Sequence, residues 1–159
     1  VYKRQDHIRI IIGLMAIIFC LDYYFRKDSD KPKKPSKFAS YFWPSLSGFT
    51  SFSIHAGGLP LSFYLLPMRL DRTMYVATAG LFYLLINLFK IFPYAYLGEM
   101  NFENIYTSLL LLPLAPLGVY FGAYLVDKIG QDWFYKIGYF CTLLAGCKLF
   151  YDGSIKLFL

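Results

Sequence analysis

One stretch of an otherwise apolar chain concentrates the residue types that do chemistry. Ser45–Pro67 reads SLSGFTSFSIHAGGLPLSFYLLP, with hydroxyls at Ser47, Thr50, Ser51 and Ser53, an imidazole at His55, and Gly57-Gly58 ahead of Pro60. Gly57-Gly58 permits unwinding and close backbone approach. Pro60 has no N–H and disfavours helix at Leu59, yet proline is tolerated in the first turn of a new helix. A second half-helix is therefore expected to start near Leu59–Leu61. Its first turn would expose unpaired N–H groups and the positive end of a dipole, an arrangement that receives anions. The hydroxyls add donors without burying a formal charge, and His55 can be a neutral donor–acceptor or a cation. The anion-binding set is thus Thr50, Ser51, Ser53, His55, Gly57, Gly58 and Pro60. Asn87 and Lys90, three apart on one helical face, are further candidates. A lysine deep in a membrane span costs about 2.5–3.5 kcal/mol, although Lys90 is close enough to Pro93 to snorkel. The structural alternative is that Gly and Pro serve helix packing and that the hydroxyls bond back to helix carbonyls.

What must position these residues is a membrane protein. The chain has 159 residues, 57% hydrophobic and 16% charged, with mean hydropathy +0.45. A soluble domain carries about 25% charged residues, and so few charges do not cover a water-facing surface. The formal charge of +6 does not point to nucleic acid, because much of the excess sits in Arg26–Lys37, RKDSDKPKKPSK, beside an apolar helix. Such a block is a cytoplasmic topology signal and a solvated linker. Cys20, Cys141 and Cys147 lie in apolar runs with no zinc or redox spacing and are read as packing residues. No cluster suits a metal, and no cofactor is implied. An enzyme using His55 would need partners such as Asp71, which falls in a loop.

Spans are expected at Ile8–Phe25, Thr73–Phe92 (closed by Pro93), Ile105–Val126 (interrupted by Pro113 and Pro116) and Trp133–Tyr151 (closed by Asp152-Gly153). Ile8–Tyr24 is too long for a signal-peptide core, and no cleavage site follows it. Lys148 reads as an anchor near the last boundary. If Phe38–Pro67 enters and returns as a re-entrant hairpin, the Arg26–Lys37, Arg69/Arg72 and Lys128 connections share one face. The acidic Tyr94–Asn104 connector, with Glu99 and Glu103, then takes the other, as the positive-inside rule requires. A plain crossing breaks that rule. Gly118 and Gly122 have the spacing that lets helices approach closely.

The chain resembles the TauE/SafE family of sulfite and organosulfonate exporters through SGFTSFSIHAGGLPLSFYLLP (47–67), RLDRTMYVATAG (69–80) and LLPLAPLGVYFGAYL (111–125). The likeness covers roughly Ile8 to Gly153. It implies a multi-pass carrier in the bacterial inner membrane, with about eight hydrophobic segments in two repeats. The cargo implied is a small inorganic or organosulfur anion. The expected fold is an all-α polytopic bundle of four full spans plus one interrupted, re-entrant segment, the second half of a two-repeat transporter. Starting at Val1, the chain reads as an internal piece. Residues 1–5 read as non-native read-through, 6–25 as the last span of the first repeat, 26–37 as the basic linker, 38–153 as the second repeat and 154–159 as a tail. Expected partners are the anion, membrane lipid and a second copy of the chain, with no nucleic acid. The alternative is a non-transporting membrane subunit associating through Gly118 and Gly122.

Overall fold

A computed structural model describes residues 2–25, 31–97 and 102–158. Among these the chain is helical throughout: α1 (Tyr2–Phe25), α2 (Lys37–Ile54), α3 (Gly58–Leu65) with a short 3-10 turn (Leu66–Met68), α4 (Arg72–Tyr96), α5 (Phe102–Leu111), α6 (Leu114–Lys128) and α7 (Gln131–Phe158). Among the described residues two helices are long and apolar enough to cross a membrane: α1 over Gln5–Phe25, and α4 over its whole length. Two compact units form, Val1–Asp71 with Tyr135–Leu159, and Arg72–Phe134.

In the first unit α1 and α7 run antiparallel with their backbones in contact. A Cβ on Gly13 would lie 2.6 Å from the Phe150 nitrogen, and one on Gly146 would lie 2.6 Å from the Ala16 Cβ. One on Gly153 would lie 2.8 Å from Ile10 Cγ1. Small residues at such a seam let the helices gain packing that larger side chains would prevent. Next to this seam lies a cluster of Ile12, Ala16, Leu59 and Phe63, flanked by Phe19, Trp43, Leu46 and Leu149.

Beside an apolar core, the surface departs from that of a water-soluble protein. Ser47, Thr50, Ser51 and Thr142 are buried, whereas Phe38, Tyr41, Phe89 and Phe92 are each at least 74% exposed. Water would penalise that much exposed aromatic surface; lipid does not, and it instead drives polar groups inward to find partners.

In the second unit no residue of α4 or α6 is buried. Arg72, at the start of α4, donates its backbone N–H to Gln131 Oε1 at 3.1 Å and its guanidinium to the carbonyls of Ile129 and Asp127. It thereby satisfies orphan carbonyls at the C-terminal end of α6. Tyr75 meets Phe134 edge-on at 5.3 Å.

Several element boundaries depart from the pattern-based expectation. Pro93 does not close its helix: α4 runs on to Tyr96, and the Leu97 N–H reaches the Pro93 carbonyl at 2.9 Å. The 105–126 segment is not one kinked helix but two, parted at Leu112-Pro113, with Pro116 in the first turn of α6. There a missing N–H is no loss. Helix α7 continues through Asp152-Gly153 to Phe158. Helix α1 begins at Tyr2, so the segment expected to be read-through is helical from its second residue. Residues 26–30 of the basic linker and 98–101 of the acidic connector lie outside the described residues.

Candidate functional site

The site grows out of how α2 ends. Ser36 caps its start, accepting from the Ala39 N–H at 3.2 Å. The helix stops at His55, which takes the left-handed conformation (φ 54°) and sends its N–H back to the Thr50 carbonyl; the Ala56 N–H bonds the same oxygen at 3.3 Å. That is a left-handed C-terminal stop of the kind usually built on glycine. Histidine tolerates the conformation better than branched residues do. Three residues later α3 begins at Gly58, with the Leu61 N–H on the Gly57 carbonyl at 3.3 Å and Pro60 inside the first turn.

Helix α3 then runs back along α2. The Ser47 hydroxyl donates to the Gly57 carbonyl at 2.7 Å, the Trp43 ring meets Phe63 edge-on at 5.3 Å, and the Tyr64 hydroxyl donates to Ser40 Oγ at 3.2 Å. Rising residue numbers on α3 pair with falling ones on α2, so the pair is an antiparallel hairpin. Its ends also meet: the Lys33 N–H bonds the Pro67 carbonyl at 2.9 Å. Chain entry and exit therefore share one end of the hairpin, with the 55–57 turn at the other.

Close approach at the tip depends on Gly57. A Cβ there would lie 2.6 Å from Ser51 Cβ and 2.7 Å from the Ser47 carbonyl oxygen. Gly57 itself has an ordinary right-handed backbone (φ −61°), so its value is space and not conformational freedom.

Of the residues expected to bind, Thr50, Ser51, Gly57 and Pro60 are buried where α3 leaves α2. Ser53 is half-buried, and His55 and Gly58 are exposed at the turn. Asn87 and Lys90 lie on α4, which belongs to the second unit. The Thr50 hydroxyl donates to the carbonyls of Leu46 (2.9 Å) and Ser47 (3.2 Å). Ser47 and Thr50 thus spend their protons on backbone oxygens and fix the hairpin. The early amides of α3, at Gly58 and Leu59, receive no side-chain cap from Gly57, and Pro60 has no N–H. The last carbonyls of α2 point toward the same turn and present partial negative charge beside them. Among the described residues no group of three or more His, Cys, Asp or Glu is placed to hold a metal.

Pattern reading missed what closes the opposite end. There Arg69, left-handed at φ 48°, donates from Nη2 to the Tyr23 hydroxyl at 3.3 Å and lies over the Tyr135 ring at 5.2 Å. The spacing of Tyr135 and Tyr139, one helical turn apart, was the available signal; the pairing with Tyr23 across α1 had none.

The comparisons with known proteins bear on the whole chain. A family model described as Sulfite exporter TauE/SafE matches residues 2–149. No curated protein and no solved structure matches it.

Proposed function

The chain belongs to the TauE/SafE sulfite exporter family, a family of membrane transporters, and from that premise we propose that the α2–α3 hairpin carries the site at which a small anion is held during export. The observation that carries this reading is the hairpin itself: a polar, glycine-tightened turn with helix-start amides, set within helices that also expose many large apolar residues. Irregular backbone at membrane depth survives only inside protein or beside a water-filled cavity, and in carriers such interruptions are where substrate and coupling ion bind.

In this reading α1, α4, the broken α5–α6 segment and α7 cross the bilayer, and the hairpin is re-entrant. Its two ends sit on the face of the basic 26–37 linker, the cytoplasmic side of a bacterial inner membrane. The chain supplies the last span of a first repeat (6–25) and a second repeat (38–153) of a two-repeat carrier. The cargo is sulfite or an organosulfonate, and the chain is a carrier and not an enzyme. Helix α1 gauges the depth. Tyr23 lies beside Arg69 at the hairpin base, Phe19 meets Phe63 at 4.9 Å, and Leu59 shares a cluster with Ile12 and Ala16. The turn at 55–57 therefore lies beyond the middle of the Gln5–Phe25 span.

Proteoliposomes holding the protein and loaded with sulfite test this. Efflux is expected, and Gly57→Ala is expected to slow it at least about tenfold while the protein stays in the membrane, because the turn can no longer close on Ser47 and Ser51. Undiminished efflux in Gly57→Ala would remove the hairpin from the site.

A further inference from the structure

The two ends of the hairpin differ in access. At the tip Phe52, His55 and Gly58 are exposed. At the base Cys20, Leu65, Leu66, Tyr135 and Tyr139 are each 3% exposed or less. The closure there joins three elements. Tyr23 of α1 stacks on Tyr139 of α7 with centroids 3.6 Å apart and planes 7° from parallel. Tyr135 donates its hydroxyl to the Leu70 carbonyl at 2.6 Å, the Arg69 guanidinium lies over its ring, and Arg69 Nη2 reaches Tyr23. The Cys20 thiol is tied to the Tyr139 carbonyl at 3.4 Å. Helix α7 comes close to the hairpin exit at Gly138, where a Cβ would lie 3.0 Å from Leu66 Cδ2.

These contacts are stacked rings, one cation–π contact and hydrogen bonds from side-chain ends, so rotamer changes can undo them without moving a helix backbone. The α1–α7 seam is different: at Gly13 it packs against backbone, at the Phe150 nitrogen and the Gly146 carbonyl, and at Gly146 against the Ala16 Cβ, groups that no rotamer change moves. The residue at the centre of the base also holds a backbone conformation unfavourable to a side chain with a Cβ, which its surroundings must maintain. A rigid seam beside a side-chain latch is what a gate needs.

We propose that Arg69, Tyr23, Tyr135 and Tyr139 form a gate at the hairpin base. The gate seals the tip from the basic-linker face in the conformation seen here, and its opening gives the anion passage to that face. The gate rests on the transport reading for its purpose but not for its test. Buried Cys20 serves as the native reporter, with Cys141 and Cys147, both exposed, replaced by serine. Membrane vesicles of each orientation are treated with a membrane-impermeant methanethiosulfonate. The parent chain is expected to leave Cys20 unmodified from the linker face. Arg69→Gln and Tyr135→Leu are expected to raise its reactivity from that face by about tenfold or more, through a shift in the closed population. Tyr23→Phe, which keeps the ring on Tyr139 and removes only the hydroxyl, is the milder variant should those two fail to fold, and a smaller rise is expected from it. Unchanged reactivity in variants that remain membrane-integrated overturns the gate. Reactivity raised equally from both faces overturns it too, since that is a loosened bundle. No anion is present in this assay, so absence of sulfite efflux alongside a positive result would remove the transport reading and leave the gate standing.

Discussion

Glycines in the two units behave oppositely. In the first, Gly13, Gly57 and Gly146 sit where an added methyl would strike backbone or a neighbouring Cβ at less than 3 Å, and at Gly153 it would lie 2.8 Å from Ile10 Cγ1. In the second, Gly80, Gly118, Gly122 and Gly130 have nothing within 4 Å of the position a Cβ would take. Local spacing does not distinguish them. Gly118 and Gly122 carry the recognised close-packing interval and meet nothing within 4 Å among the described residues, whereas Gly13 on α1 has no glycine at that interval and would meet the Phe150 nitrogen at 2.6 Å. In a membrane, where lipid is as apolar as the side chains, helices associate by fit, so small residues reveal packing only when their partner is known. The first unit has its partners within the chain. For the second unit's glycines none is found among the described residues.

Substitutions that challenge this contrast fall in a clear order. Gly146→Leu, which forces a side chain into Ala16 and the Gly13 carbonyl, is expected to cost about 3 kcal/mol or more and to abolish monodisperse protein after detergent extraction. Gly57→Ala is expected to destabilise by roughly 1–3 kcal/mol, read as a lower Tm in detergent, because neither Ser51 Cβ nor the Ser47 backbone can retreat far. Ser47→Ala removes the donor to the buried Gly57 carbonyl and is expected to cost about 1 kcal/mol, with a smaller fall in Tm. Gly118→Leu is expected to change Tm least, by an equivalent of less than about 0.5 kcal/mol. A loss in Gly118→Leu as large as in Gly146→Leu would collapse the contrast and identify a helix packed on α6, the association that the Gly118 and Gly122 spacing suggests.

Much of the hairpin was legible in the sequence, because its determinants are local. Gly-Gly followed by proline locates the break, Pro60 in a first turn marks the new helix, and the basic segments at either end favour a return over a crossing. What could not be read was the division of labour at the turn. Glycine is the obvious residue for a left-handed stop, yet His55 takes it, while Gly57 makes the close contact with Ser47, ten residues away. That requirement is tertiary and leaves no periodic trace. The same holds for the hydroxyls: residue type identifies donors, but only the fold shows that Ser47 and Thr50 direct theirs to carbonyls. Pro93 misleads in the other direction. A proline inside a helix forfeits one bond, and α4 absorbs that loss and continues to Tyr96. At the hairpin base nothing in the pattern links Tyr23 to Tyr139, separated by almost the whole chain.

The central claim is that the hairpin enters and leaves on one face of the membrane. Single cysteines at Ser36 and Asp71, in a background otherwise free of cysteine, flank it on either side. Labelling with an impermeant maleimide in vesicles of known orientation should modify both from the same face, that of the basic linker. Modification of Ser36→Cys from one face and Asp71→Cys from the other would mean that the segment crosses, and would contradict the account.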